Sequence, residues 1–217
     1  ALVPGFVASA NDTVTGLVVV PETQALAVAG AFTSLGGAAR RFLGSVSLTT
    51  GATTSWAPPA DCADCTLLGV TSAFGLVFGA VAGPGGRATA WSATTGARRW
   101  SQWGDGDVQA VAGVGGTLDA RGHFAPRFGA VGGTAAQRSG IAAIDAVSGA
   151  LLPWDPPVTG PDGVWTIAAT SDTLWVGGGF TQVAGQSWAG RLTRFPVVTA
   201  GTGAVALVAA ASSWAFD

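Results

Sequence analysis

The residues of this chain that could do chemistry are few, and the closest reactive pair is Cys62 and Cys65. A CxxC pair serves as half of a zinc site, as a redox motif or as a small disulfide loop. Tetrahedral zinc needs two further ligands, and His123 is the only histidine. Thioredoxin-like chemistry needs the pair at the start of a helix, whereas this pair lies in a loop between repeats. We therefore predict a Cys62–Cys65 disulfide in an exported protein.

The carboxylates offer one tight pair, Asp105 and Asp107, in the sequence Gly104-Asp-Gly-Asp107. This pair is a candidate calcium site, and a solvated turn is the favoured interpretation. Glycoside hydrolysis needs two placed carboxylates, but Glu22 is the only glutamate. No Ser or Cys partner is indicated for His123, and the chain has no lysine. The sequence predicts a protein that is not an enzyme, with no catalytic residues, no cofactor and no metal.

Composition points away from several partners. Of the 217 residues 48% are hydrophobic and 10% are charged, against about 25% charged in typical soluble proteins. A net charge of −2, with ten scattered arginines, argues against nucleic acid. The pairs Arg40-Arg41 and Arg98-Arg99 are interpreted as solvated surface. No run of 18 apolar residues exists in the sequence, so no transmembrane segment is predicted.

Codon usage and processing suggest a source and a compartment. Lys, Met and Tyr are missing, and there are one Asn and three Ile. These residues have AT-rich codons, so we infer a high-GC bacterium. A chain that starts at Ala1 without any Met also indicates processing, such as signal-peptide removal, or excision from a longer chain. The expected localisation is extracellular or in the cell envelope.

The elements that must position these residues form a repeat. Residues 45–56, 90–100 and 143–154 each carry a Thr-Gly or Ser-Gly turn followed by a tryptophan. A period of about 50 residues made of short β-type runs is typical of a β-propeller. The matching tryptophans are predicted to fill the wedge between adjacent blades, where each ring buries about 150–250 Å². The repeat positions are Gly51, Gly96, Gly149, Trp56, Trp100 and Trp154.

Apolar runs open each unit, starting at residues 14, 67, 108 and 164. A second strand follows and ends in a Gly-rich phrase with an aromatic, at Phe32, Phe128 and Phe180 in three of the units. Glycines within these strands indicate close backbone approach around a central axis. Four short strands per unit predict a propeller blade.

The organisation that follows is a single all-β, propeller-like domain over residues 1–217. We expect either a closed four-blade ring or part of a larger propeller, with residues 1–8 and 204–217 as candidate closing strands. The predicted units span residues 14–58, 66–103, 107–157 and 163–203.

Two family resemblances support this fold. Val176-Gly-Gly-Gly-Phe-Thr-Gln-Val-Ala-Gly-Gln186 resembles the delta-60 type β-propeller repeat, and so do residues 28–37. The resemblance implies exported or surface proteins of high-GC bacteria and carries no general catalytic set. Residues 143–154 also look like the tryptophan-docking repeat of the eight-bladed quinoprotein dehydrogenases. In that family the docking repeat is a structural motif, and half of the blades are absent here.

Three functional hypotheses remain. The leading one is a non-catalytic structural or accessory subunit of a larger extracellular or envelope assembly, with protein partners. The alternative is a glycan-recognising propeller that stacks sugars on Trp103 and Trp188, which lie near turns. Trp165 and Trp175 lie in predicted strands and are expected in the core. The remote alternative is a fragment of a propeller enzyme whose active site lies elsewhere.

Overall fold

The computed structural model describes residues 4–60, 63–130, 135–187, 190–199 and 205–207. Within them the 3-10 turn Pro21–Thr23 stands among short β-strands. In chain order the strands are β1 (Val14–Val20), β2 (Ala25–Gly30), β3 (Ser34–Leu35), β4 (Ala38–Ala39), β5 (Leu43–Ser47), β6 (Thr66–Ala73), β7 (Leu76–Ala82), β8 (Arg87–Ser92), β9 (Arg98–Gly104), β10 (Val108–Val114), β11 (Thr117–Gly122), β12 (Arg127–Ala130), β13 (Ala135–Gln137), β14 (Ile141–Asp145), β15 (Val158–Thr159), β16 (Val164–Ala169), β17 (Thr173–Gly178), β18 (Gln182–Val183), β19 (Leu192–Thr199) and β20 (Val205–Leu207).

Four antiparallel sheets follow one another along the chain. The first has the order β1-β2-β5, the third β10-β11-β14 and the fourth β16-β17-β19-β20. The second holds β6 to β9 within a larger six-stranded sheet. The opening strands begin within one residue of the predicted starts, because runs rich in β-branched and other apolar residues favour strands. The predicted all-β, propeller-like fold is confirmed.

The opening strands pack side by side, β1 next to β6, β6 next to β10 and β10 next to β16. Glycines allow this approach. A Cβ atom at Gly16 would lie 3.1 Å from Cγ1 of Val70, and one at Gly69 would lie 3.5 Å from the Gln109 carbonyl oxygen. The backbones of neighbouring inner strands are therefore separated by little more than a missing methyl group.

The six-stranded sheet arises because β9 is paired on both edges. Trp103 of β9 lies opposite Arg87 of β8 on one side and opposite Gly129 of β12 on the other. The last strand of the second unit is thereby joined to the third unit. The pairing of β15 with β18 and the isolated bridge between Ala10 and Leu35 repeat this connection elsewhere.

The fourth strand of a unit is less regular than predicted. In the first unit it shrinks to a bridge between Val46 and Thr53, and in the third to one between Ile144 and Leu151. The second unit has the full strand β9, and the fourth has β20, which pairs with β19. Among the described residues no helix has the length and apolar character needed to cross a membrane.

The aromatic that follows the second strand is misassigned by the sequence in the third unit. Phe32, Phe124 and Phe180 are equivalent, since their carbonyls accept a 2.9 Å hydrogen bond from the N–H of Phe42, Gly140 and Arg191, respectively. Phe128, the predicted residue, lies instead in β12. All four phenylalanines are fully buried. The prediction fails because the second strand of this unit is residues 117–122, which carry two charged side chains.

The described part of the N-terminal segment, residues 4–11, pairs with the first unit and not with the fourth sheet. The Val7 N–H donates to the Thr50 carbonyl at 3.0 Å, and Asn11 Oδ1 accepts from the N–H groups of Thr33 at 2.9 Å and Ser34 at 2.8 Å. Residues 4–11 thus lie on the first unit. Residues 1–3, 200–204 and 208–217, which include most of the other predicted closing strand, lie outside the described residues.

Candidate functional site

The repeated turn is built the same way three times. Gly51, Gly96 and Gly149 have φ of 75°, 73° and 77°, in the left-handed region that favours glycine. The N–H of each donates at 2.9 Å to the carbonyl four residues earlier. This geometry explains why the Thr-Gly and Ser-Gly pairs recur at these positions.

A polar side chain at the start of each turn completes it. Ser47 Oγ, Ser92 Oγ and Asp145 Oδ1 each accept from the N–H three residues further on, and Ser148 also donates its hydroxyl to Asp145 at 2.7 Å. These hydrogen bonds from the Ser148 backbone and side chain lower the pKa of Asp145. Asp145, part of the quinoprotein-like motif, is thus a turn-forming residue in this structure.

The repeated tryptophans reach from one unit to the next. The Trp56 indole donates to the Ser92 carbonyl at 2.9 Å, and the Trp100 indole donates to the Ala146 carbonyl at 3.0 Å. Trp154 meets Phe195 edge to face, with ring centroids 4.9 Å apart. The three rings therefore pack between neighbouring sheets.

Two arginines fasten the same turn-bearing segments. Arg40 donates to the Thr54 carbonyl and Arg138 to the Leu152 carbonyl, each at 2.7 Å. Both acceptors lie two residues before a repeated tryptophan. The prediction of solvated surface is wrong for Arg40, which is half-buried, whereas Arg98 and Arg99 are exposed.

A fully buried ion pair, missed at the sequence level, lies between the third and fourth sheets. Arg121 Nη2 is 3.5 Å from Asp119 Oδ1, and the guanidinium carbon of Arg121 lies 5.3 Å from the Trp154 ring centre and 5.8 Å from that of Phe195. Burial raises the pKa of Asp119 to about 6 and lowers that of Arg121 to about 10, with each charge opposing its partner's shift. In the sequence, the alternation Asp-x-Arg inside an apolar strand is the pattern that could have indicated this ion pair. Neither side chain reaches solvent, so the pair is suited to packing and not to binding.

The predicted calcium candidates hold turns. Asp107 Oδ1 accepts from the Gly83 N–H at 2.9 Å and Asp105 Oδ2 from the Arg127 N–H at 3.2 Å. Within the described ranges no three metal-binding side chains come together. Of the predicted disulfide, Cys65 is buried, and Cys62 lies outside the described residues.

Of the two tryptophans proposed as sugar platforms, the structure describes Trp103. Trp103 lies near the end of β9, close to the bend at 105–106 as predicted, but it is half-buried against Gly85. Trp188 lies outside the described residues. Trp165 and Trp175, expected in the core, are 55% and 39% exposed. The core prediction for both is wrong because, among the described residues, no neighbouring sheet covers their side chains.

One surface that the described residues leave exposed is the outer face of the fourth sheet. Trp175 lies opposite Arg194 in the register, with the guanidinium carbon 5.6 Å from the indole centre, and Leu192 lies opposite Gly177. Leu192 is 64% exposed. The alternate residues Leu174 and Phe195 are buried towards the third sheet. We call Trp175, Leu192 and Arg194 the fourth-sheet face.

A second apolar row that the described residues leave exposed lies along β1 of the first sheet. Leu17 and Val19 of β1 are 58% and 49% exposed and lie opposite Val28 and Leu26 of β2, respectively. Val18, which points to the other side, packs in the core shared with the second sheet. We call Leu17 and Val19, with Leu26, the first-sheet face.

A third feature is a bulge at the start of every inner strand. The strand register shifts between residues 14 and 16, 67 and 69, 108 and 110, and 164 and 166. A bulge re-aims the side chain of the extra residue and is frequent near functional sites. The four equivalent residues are Thr15, Leu68, Gln109 and Trp165.

Two of these bulge residues join a polar cluster at the boundary of the third and fourth units. The Trp165 indole donates to the Asp162 carbonyl at 2.7 Å, and His123 Nε2 bonds to the same carbonyl. Because a carbonyl only accepts, Nε2 carries the proton, and Nδ1 accepts from Gln109 Nε2 at 3.5 Å. We call Gln109, His123, Asp162 and Trp165 the axial cluster.

Comparison with known proteins supports the fold alone. No protein-family model matches the sequence, and no curated protein matches it. The computationally designed Ika4 protein superimposes with a TM-score of 0.57 at 13% identity, over 87% of this chain and 93% of that one. U3-55K gives 0.54 at 13% identity, over 88% of this chain and 56% of its own. The WD40 β-propeller domain of Doa1 gives 0.40 at 13% identity, over 78% and 67%.

Proposed function

We propose that this chain is a non-catalytic structural or accessory subunit, which joins a larger extracellular or envelope assembly through the first-sheet face and the fourth-sheet face. The observation that carries the proposal is the pair of uncovered apolar rows on the two outermost sheets. Leu17 is 58% and Leu192 is 64% exposed. Large exposed apolar patches mark protein–protein contacts.

The two inner sheets are stabilised by apolar cores on both of their sides. The second and third sheets are buried on both sides, in cores rich in Phe, Leu and Val. The first sheet has a smaller second cluster on its outer side, around Val28, Phe32, Leu35 and Val46, but Leu17 and Val19 stay exposed beside it, as Leu192 does on the fourth sheet. Covering apolar surface contributes about 25 cal/mol per Å², so a protein partner that covers both rows would be stabilised by the same effect that holds adjacent sheets together.

The absence of catalysis is proposed from the roles of the acidic side chains. Asp105 and Asp107 accept backbone hydrogen bonds, and Asp119 is sealed in the core. A general acid or base must reach a substrate, and these carboxylates are committed to structure. The low charge of the sequence, 10%, agrees with a surface covered by neighbours.

Export and a Cys62–Cys65 disulfide belong to this proposal. The composition and the delta-60 resemblance support export, and among the described residues there is no free cysteine. A disulfide in this loop is expected to persist outside the cytosol. The mass of the non-reduced protein should be lower than that of the reduced protein by two hydrogens, and an unchanged mass would contradict the disulfide.

The proposal is tested by isolating the tagged chain gently from its source and identifying what is bound. Leu17→Glu and Leu192→Glu each place a charge in one of the two faces and should reduce the recovery of partners. Val147→Glu is the matched control, because Val147 is 63% exposed and lies in a turn of the third unit. Equal recovery of partners by all three variants would contradict the proposal, provided that each variant melts as the wild type does.

A further inference from the structure

We propose that the axial cluster binds a saccharide, with a pyranose ring stacked on Trp165 and sugar hydroxyls hydrogen-bonded to the Asp162 carboxylate. The site shares no residue with the first-sheet or fourth-sheet face. The inference does not depend on the proposed assembly role.

The indole of Trp165 is both exposed and fixed in place. Trp165 is 55% exposed, yet its N–H is held by the Asp162 carbonyl at 2.7 Å. A fixed ring loses little conformational freedom when a ligand stacks on it. The flat apolar face of an indole with a polar edge nearby fits the C–H face of a sugar ring.

The carboxylate of Asp162 has unused hydrogen-bonding capacity. The Asp162 side chain is exposed and has no hydrogen bond or ion pair with the described part of the chain. A carboxylate has two oxygens that accept hydrogen bonds. Two neighbouring hydroxyls of one sugar offer donors at a matching spacing.

Two glycines leave the space that side chains of the axial cluster occupy. A Cβ atom at Gly163 would lie 2.8 Å from Cδ2 of His123, and one at Gly179 would lie 2.7 Å from Oδ2 of Asp162. Any other residue at these positions would displace the imidazole or the carboxylate. The backbone is therefore compatible with this arrangement of side chains only because both positions are glycine.

His123 and Gln109 act as positioning residues. His123 shares the Asp162 carbonyl with Trp165, and Gln109 contacts the other ring nitrogen of His123 at 3.5 Å. Both ring nitrogens are thereby occupied within the protein. The imidazole fixes the carbonyl that in turn orients the indole.

The chemistry of the cluster favours a neutral polyol over charged ligands. It contains no arginine, so a phosphate would meet Asp162 without a compensating cation. A quaternary ammonium ligand is recognised by a cage of several aromatic rings, whereas this cluster has one. A saccharide uses both the single ring and the carboxylate.

The experiment is a glycan array probed with the fluorescently labelled chain, followed by titration of the strongest oligosaccharide. We expect Trp165→Ala and Asp162→Asn each to weaken binding by about tenfold or more, which is about 1.4 kcal/mol. Phe74→Ala is the matched control, since Phe74 is an exposed aromatic, 48% accessible, in a turn of the second unit. It should bind as the wild type does, and Leu192→Glu should too, which separates this site from the assembly face.

The positioning role has its own readout. In His123→Ala the indole N–H resonance of Trp165 should shift in the spectrum of the free protein, and oligosaccharide affinity should fall. The proposal is overturned if no glycan binds, if Trp165→Ala binds as tightly as the wild type, or if choline chloride binds at Trp165 and no oligosaccharide does.

Discussion

The indole N–H of Trp100 donates a 3.0 Å hydrogen bond to the carbonyl of Ala146, across the boundary between the second and third units. The same ring covers Gly149, where a Cβ atom would lie 2.5 Å from Cγ of Trp100. Trp56 makes a similar contact one unit earlier, to the carbonyl of Ser92, one position nearer the start of the turn. The tryptophan of one repeat thus fits the turn of the next, which explains why the sequence repeats both together.

Gly149→Ala tests this fit. The substitution forces alanine into φ of 77°, which costs about 1–2 kcal/mol, and places a methyl group against Trp100. Gly116→Ala is the matched control, because Gly116 has φ of 86° with nothing within 4 Å of its Cβ position. In denaturant unfolding Gly149→Ala should lose clearly more stability than Gly116→Ala, and equal losses would show that the indole does not constrain the turn.

Trp154→Ala should destabilise the third boundary. The ring contacts Phe195 at 4.9 Å between centroids and lies beside the buried Arg121 at 5.3 Å. Its removal leaves a cavity next to a buried charge, at a cost of roughly 3 kcal/mol. Trp175→Ala, at a 39% exposed ring, should change stability far less. The melting temperatures of both variants are measured by calorimetry. An unchanged melting temperature for Trp154→Ala would refute the structural role of Trp154.

Arg40→Gln should weaken the first unit. Arg40 donates to the carbonyls of Ala39 at 2.8 Å and Thr54 at 2.7 Å, and charge-assisted hydrogen bonds contribute about 1.5–3 kcal/mol. Arg99→Gln is the control, since Arg99 is exposed. Urea unfolding should show a loss for Arg40→Gln alone. A similar small effect for both variants would mean that Arg40 acts as an ordinary surface residue.

The buried carboxyl predicts a pH dependence. The pKa of Asp119 is about 6 in the folded chain, against 3.8 for an unperturbed carboxyl, with burial as the main cause. The folded state therefore binds the proton more tightly, so stability from this group is full below about pH 4 and falls as pH rises to about 6. Urea unfolding of the wild type and of Asp119→Asn across this range gives the contribution as a difference. If the free energy of unfolding depended on pH in the same way for both proteins, the raised pKa of Asp119 would be contradicted.

Much of the fold follows from local patterns. The inner strands begin where apolar runs begin, at Val14, Val108 and Val164, because runs rich in β-branched and other apolar residues favour strands. The turns at Gly51 and Gly96 follow from the left-handed backbone that glycine tolerates. These features depend only on neighbours in the chain.

Features that depend on distant neighbours were not predictable in the same way. The exposure of Trp175 is set by which side of the fourth sheet has a neighbour, and strand periodicity does not carry that information. Phe128 resembled its counterparts in sequence, but the pairing of β12 with β9 places Phe124 at the repeat position. The axial cluster brings together His123 and Asp162, which are 39 residues apart in the sequence. It also includes Trp165, which lies at a strand bulge that no local pattern indicated.

The most direct test of the proposed assembly role is the native mass and composition of the protein isolated gently from its source. We expect a particle well above the mass of the polypeptide itself, as found under denaturing conditions, with defined protein partners and with Leu17 and Leu192 protected from surface labelling. A particle of the polypeptide's own mass without partners, in which both leucines are accessible, would contradict the assembly role.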